Sequence, residues 1–171
     1  MSSLGQAMII NAVVLFAVLE ADLGPHRKIS RFRIVRPLLL AAGIIPLYVK
    51  ALATHGTGLA LEIIAVAAGM LCGWCATRLT DVYRSPRTGG PVSKAGLGYA
   101  GLWVGVIGAR AAFSYGSVHW FGPQLGGWMG RHDVTADAIT DSLLLMAVAM
   151  TLTRTLALAG RAASTRRLAA A

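Results

Sequence analysis

Long apolar blocks, separated by short polar and basic stretches, dominate this chain. The pattern predicts five helical segments. They run from about Leu4 to Leu23, Ile34 to Thr54, Gly58 to Arg78, Gly98 to Trp120 and Ala138 to Leu158. Each is close to the ~20 apolar residues that a helix needs to cross a ~30 Å hydrocarbon core. The ten-residue alternation of a transmembrane barrel is absent. Punctuation supports the boundaries. Gly24-Pro25 ends the first block, Pro37 suits the first turn of the second, and Gly122-Pro123 stops the fourth. The reading is an all-α, polytopic transmembrane bundle. It forms one domain over residues 1–160, with a basic tail at 161–171.

Charge sets the direction of threading. Charged residues make up only 13% of the 171, against 56% hydrophobic, well below the charge content of a soluble domain. The net charge of +9 does not spread over one face, which argues against nucleic acid. Thirteen of the sixteen Lys and Arg fall in the first loop, in the third loop with the end of span three, and in the tail with Arg154. The second and fourth loops hold only Lys50 and Arg131. Basic loops stay in the cytoplasm, so the N-terminus is expected outside and the C-terminus inside. No Lys or Arg precedes the first span and no small-residue cleavage site follows it, so it reads as a retained span. The tail residues Arg161, Arg166 and Arg167 suit contact with anionic lipid headgroups. Trp74, Trp103, Trp120, Trp128 and Tyr48 fall near expected interfaces or outer loops, as an aromatic belt does.

Depth then singles out the residues that do not belong in lipid. Arg110 lies about ten residues below the outer end of span four, ~15 Å down and near the bilayer midplane. An arginine there costs roughly 2.5–3.5 kcal/mol on insertion scales. Glu62 in span three and Asp141 in span five lie nearer the outer surface, within reach of an outward-snorkelling guanidinium. These three form the candidate intramembrane cluster, either a structural ion pair or a site for an anion, a proton or a polar headgroup. Small residues Gly101, Gly105, Gly108 and Ala112 suggest a packing stripe on span four, against another helix or a second copy.

Other patterns carry weaker chemistry. Cys72 and Cys75 make a C-x-x-C, the spacing of thiol redox motifs. They sit at the negative end of a helix rather than at the positive end that stabilises a thiolate. Asp133, Asp137 and Asp141 recur every fourth residue beside His132, which fits a cation at the outer mouth or, more simply, helix capping by Asp133. His55, His119 and His132 show no ligand spacing. No nucleotide, zinc-protease or hydrolase motif is present in the sequence, so neither a cofactor nor a metal is assigned.

With the basic first loop running into "RPLLLAAGIIPLY", the "VIGARAAFSYG" of span four and "LLLMAVAMTLTR" of span five in view, the chain resembles the CcdC-like family of small bacterial membrane proteins. The matching positions are Arg36-Pro37, Arg110 and Arg154, within about residues 8 to 155. The resemblance implies a link to cytochrome c biogenesis, through the family's name, and brings no catalytic residues. Three functions stay open: a non-enzymatic factor of assembly or regulation, a small transporter or ligand-binding protein built on Arg110, Glu62 and Asp141, and a thiol carrier built on Cys72 and Cys75.

Overall fold

The computed structural model describes residues 23–28, 31–48, 56–86 and 90–167, together with Ile9, Ala12, Leu15, Phe16, Val18, Leu19 and Glu20, which are helical. Five helices follow: α1 (Arg31–Tyr48), α2 (Gly56–Arg78), α3 (Leu97–His119), α4 (Gly122–Arg131) and α5 (Ala136–Arg167). Three short strands, β1 (Gly24–Lys28), β2 (Thr80–Arg84) and β3 (Pro91–Ala95), form an antiparallel sheet in the order β1-β3-β2. Two helices, α2 and α5, are long and apolar enough to cross a membrane. Only 22% and 17% of their apolar windows is buried within the protein. That separates them from the core helices of a soluble domain, whose apolar residues are mostly inside.

The most extensive contact in the molecule joins α2 to α5. Its geometry follows from two glycines. A Cβ on Gly69 would collide with the carbonyl oxygen of Met146, and one on Gly73 with the carbonyl oxygen of Met150. Small residues let the backbones touch, the means by which helices associate in lipid. Because 69 meets 146–149 and 73 meets 150–154, the register rises in both helices together. The two helices are therefore parallel. Two turns earlier on α2, Glu62 comes level with Asp141 and Ser142 on α5, and all three are buried.

One end of the bundle is sealed by the sheet. The helical residue Leu19 accepts a hydrogen bond from the Leu23 amide, and Leu23 bridges to Ala95 of β3. Ile34 at the start of α1 and Val82 of β2 pack on Leu158 and Ala162 near the end of α5. Ala76, at the end of α2, shares a buried cluster with Ala95 of β3, Tyr99, Trp103 and Ile107 of α3, and Met150 of α5. Thus α2 and α5 end at the sheet, whereas α1 and α3 begin there.

Several expectations change. The fold is mostly helical but not all-α, because the first and third basic loops pair as strands. "TDVYR" and "PVSKA" are five-residue segments joined across a Gly- and Pro-bearing turn, and burial of Val92, Ser93 and Ala95 fixes their register. The supposed fourth loop holds α4, since Pro123 lies in the first turn of a helix, where its missing N–H costs nothing. Helix α5 runs to Arg167, well into the expected tail. Its cap is Thr135, whose Oγ1 accepts from the Ala138 amide at 3.1 Å. Asp133 is not the cap; it lies outside the helix with a left-handed φ of 51°. The expected stripe on α3 is open among the described residues, with nothing within 4 Å of a Cβ at Gly101, Gly105 or Gly108. The N-terminal boundary of span one and the end of span two, with Lys50 and His55, lie outside the described residues.

Replacing Gly73 by leucine is expected to lower thermal stability in detergent by about 1–3 kcal/mol or more, since a backbone carbonyl cannot step aside. Gly105→Leu, on the open face of α3, is expected to stay within about 0.5 kcal/mol of the parent. Equal effects at the two sites would refute the close parallel seam.

Candidate functional site

Helix α3 presents one face to the rest of the protein. Tyr99, Trp103 and Ile107 are buried along it, and Arg110, Ser114 and Ser117 continue the same face at helical spacing. At the sheet end, the Arg154 guanidinium of α5 lies over the Tyr99 ring, 5.3 Å from its centroid. At the other end, Phe113, Ser114 and Ser117 line a cavity of about 220 Å³ with Ile139, Thr140 and Leu143 of α5. Helix α3 is therefore antiparallel to α5. Interpolating at 1.5 Å per residue puts Arg110 within about one turn of Asp141 in depth.

Arg110, Glu62 and Asp141 thus occupy one band of the bundle, on two faces of α5. Glu62 and Asp141 are 4% and 3% exposed, the deepest burial of any carboxylates among the described residues, whereas Arg110 is partly buried. Among the described residues, no hydrogen bond or ion pair joins Arg110 to either carboxylate. The Asp141 Oδ2 atom is buried with no hydrogen-bond partner among the described residues. A carboxylate oxygen in that state costs free energy whether the group is charged or protonated.

Cys72 and Cys75 lie inside the unbroken α2, both partly buried and both free thiols. Cys72 packs against the Tyr99–Trp103 cluster. That is the environment of a small apolar residue rather than of an exposed, activated thiolate. Of the acidic series, Asp133 and Asp137 are exposed and only Asp141 is buried. His132 stacks on Trp128 with its Nδ1 2.9 Å from the Trp128 carbonyl oxygen, and His119 stacks on Tyr115 in the same manner at 3.2 Å. No group of three metal-ligating side chains occurs among the described residues.

Arg161, expected at lipid headgroups, also has a structural role. Its Nη1 donates to the carbonyl oxygens of Thr77 at 2.7 Å and Thr80 at 2.8 Å, and so ties the end of α5 to the end of α2. Helix C-terminal carbonyls lack intrahelical donors and carry negative partial charge, so a guanidinium is a fitting cap. A signal was available: Arg154 and Arg161 are seven residues apart, on one face of a continuous helix. A helix ending at Leu158 would hide that spacing, whereas α5 runs on to Arg167. No protein-family model, no curated protein and no solved structure matches the chain.

The double substitution Cys72→Ala, Cys75→Ala is expected to shift stability by no more than about 1.5 kcal/mol, as for a small packing change. It is also expected to leave the protein's activity in cells intact. Loss of activity with the fold preserved would restore the thiol-carrier reading.

Proposed function

We propose that this chain is a five-span protein of the bacterial inner membrane, N-terminus outside and C-terminus in the cytoplasm, acting as a non-enzymatic factor in membrane assembly or regulation. The observation that carries the topology is the parallel seam between α2 and α5. Two parallel helices that both cross the bilayer need a return crossing between them. Helix α3, 23 residues and so ~35 Å long, is the described helix of sufficient length. The same logic applies to α1, which runs away from the sheet before α2 runs back toward it. Support for orientation comes from the basic residues of the sheet and of the ends of α2 and α5, gathered at one pole.

Support for the non-enzymatic reading comes from Cys72, which packs against the buried Tyr99–Trp103 cluster. Lipid, another membrane protein or a second copy are the partners it calls for. The link to cytochrome c biogenesis rests on the resemblance alone. Alkaline phosphatase fused after Arg131 is expected to be active, and after Arg84 or Arg167 inactive; the opposite pattern overturns the orientation. Haem staining of c-type cytochromes in a strain lacking the chain tests the link, which unchanged cytochromes would remove.

A second reading has its own observation, the buried oxygen of Asp141 that has no hydrogen-bond partner among the described residues. Buried carboxylates in a spanning bundle are a functional hypothesis by default. In this reading the band of Arg110, Glu62 and Asp141 binds an ion or a proton. Groups kept for function at a cost to stability become stabilising when neutralised. Asp141→Asn is therefore expected to raise the melting temperature, by the equivalent of roughly 1–3 kcal/mol. If Asp141 is instead the structural counter-ion of Arg110, the same substitution lowers it.

A further inference from the structure

Where α2 meets α5 beside the sheet, the surface opens into a cavity of about 300 Å³ lined by Trp74, Thr77, Arg78, Ala157 and Arg161. Two guanidiniums flank it, and each is held by the fold. Arg78 lies over the Trp74 ring at 4.7 Å from its centroid, a cation–π contact. Arg161 commits Nη1 to the carbonyls of Thr77 and Thr80. A guanidinium has five N–H donors, so Nε and Nη2 are left to point elsewhere, on a side chain already fixed in place. Both arginines remain exposed.

Directly below the cavity the surface changes character. Trp74, Leu71 and Ile64 are 49%, 61% and 65% exposed and follow one another along α2 at helical spacing. No protein element among the described residues covers them. A fixed pair of cations thus stands at the head of a bare apolar track. A free phosphate matches only the head of this site, whereas an amphiphile with a phosphodiester and acyl chains matches both parts.

We propose that this cavity is a specific site for the headgroup of an anionic phospholipid. The phosphodiester lies between Arg78 and Arg161, and an acyl chain runs along Trp74, Leu71 and Ile64. The proposal rests on the reading that α2 and α5 cross the membrane with the sheet on the cytoplasmic side. Guanidinium is the group suited to phosphate, since its planar fork offers paired donors. Capping of Thr77 and Thr80 by Arg161 also removes the carbonyls that would repel an anion at the end of α2.

The test uses the purified full chain in vesicles containing brominated lipids, which quench nearby tryptophan. Brominated phosphatidylglycerol is expected to quench at a lower mole fraction than brominated phosphatidylcholine, and Trp74→Phe is expected to abolish the difference. Arg78→Ala is expected to weaken the preference about fivefold, the effect of one cation near an anionic surface. Arg161→Lys keeps the charge, so a folded variant is retained, but loses the fork and is expected to weaken it too. Equal quenching by the two lipids, or a preference unmoved by Arg78→Ala, overturns the proposal. Competition by millimolar inorganic phosphate also overturns it and makes a soluble phosphate compound the ligand. The phosphatase fusions report separately. An inverted topology with lipid selectivity intact would fault the orientation and not the site.

Discussion

The contact between the backbones of α2 and α5 at Gly69 and Gly73 is the constraint on which the rest depends. It holds two apolar helices side by side and in the same direction. In lipid there is no hydrophobic drive between helices, so close packing of small residues has to supply the association. Once the pair is parallel, the chain between the two helices must return to its starting end, and α3 is the element that does so. The sheet is placed by the same requirement. The segment leaving α2 and the segment entering α3 lie at one end, close enough to form a hairpin, and β1 adds to its free edge.

That seam also brings Glu62 and Asp141 to one level, which neither would reach without the other helix. Both are buried where the two helices pack. Asp141 is only 3% exposed, so little water reaches it. The cost of its Oδ2 is borne by the extent of the surrounding helix contact, so the stability of the seam and the chemistry available at Asp141 are coupled.

The helices were legible because their signal, a run of apolar residues, is repeated over some twenty positions. The bounds of α2 and α3 fall within two residues of those read from hydropathy. The strands were not legible because five residues give a weak alternation, and charges such as Arg84 and Lys94 make such a stretch look like a solvated loop. Which glycine stripe packs within the chain was hard to read for a related reason. Gly101, Gly105 and Gly108 have the spacing of a packing stripe just as Gly69 and Gly73 do. Spacing alone does not tell which face meets a partner helix. In the same way, Asp133 had the side chain of a cap, but its left-handed φ passes that role to Thr135. The burial of Glu62 could be anticipated, since Gly58, Gly69 and Gly73 share its face and are buried with it. The position of Arg110 relative to the carboxylates depends on rotation of α3 about its axis, which sequence spacing leaves open.

Three arginines show how differently one fold can accommodate the same group. Arg161, at the sheet end, is held by two carbonyl oxygens and still reaches solvent. Arg154, two turns deeper, is partly buried over the face of Tyr99, where the ring quadrupole attracts the cation. Arg110 lies deepest and, among the described residues, has neither arrangement. The first two arrangements have a structural effect, each joining α5 to another element. The third joins nothing described, while sitting in the same band as two buried carboxylates and next along the helix face to the serine-lined cavity of Ser114 and Ser117. An arginine that ties helices together should resemble Arg154 or Arg161. Arg110 resembles neither, so its place in the fold follows from the helix face it shares with Tyr99, Trp103 and Ile107 rather than from a described tie to another element.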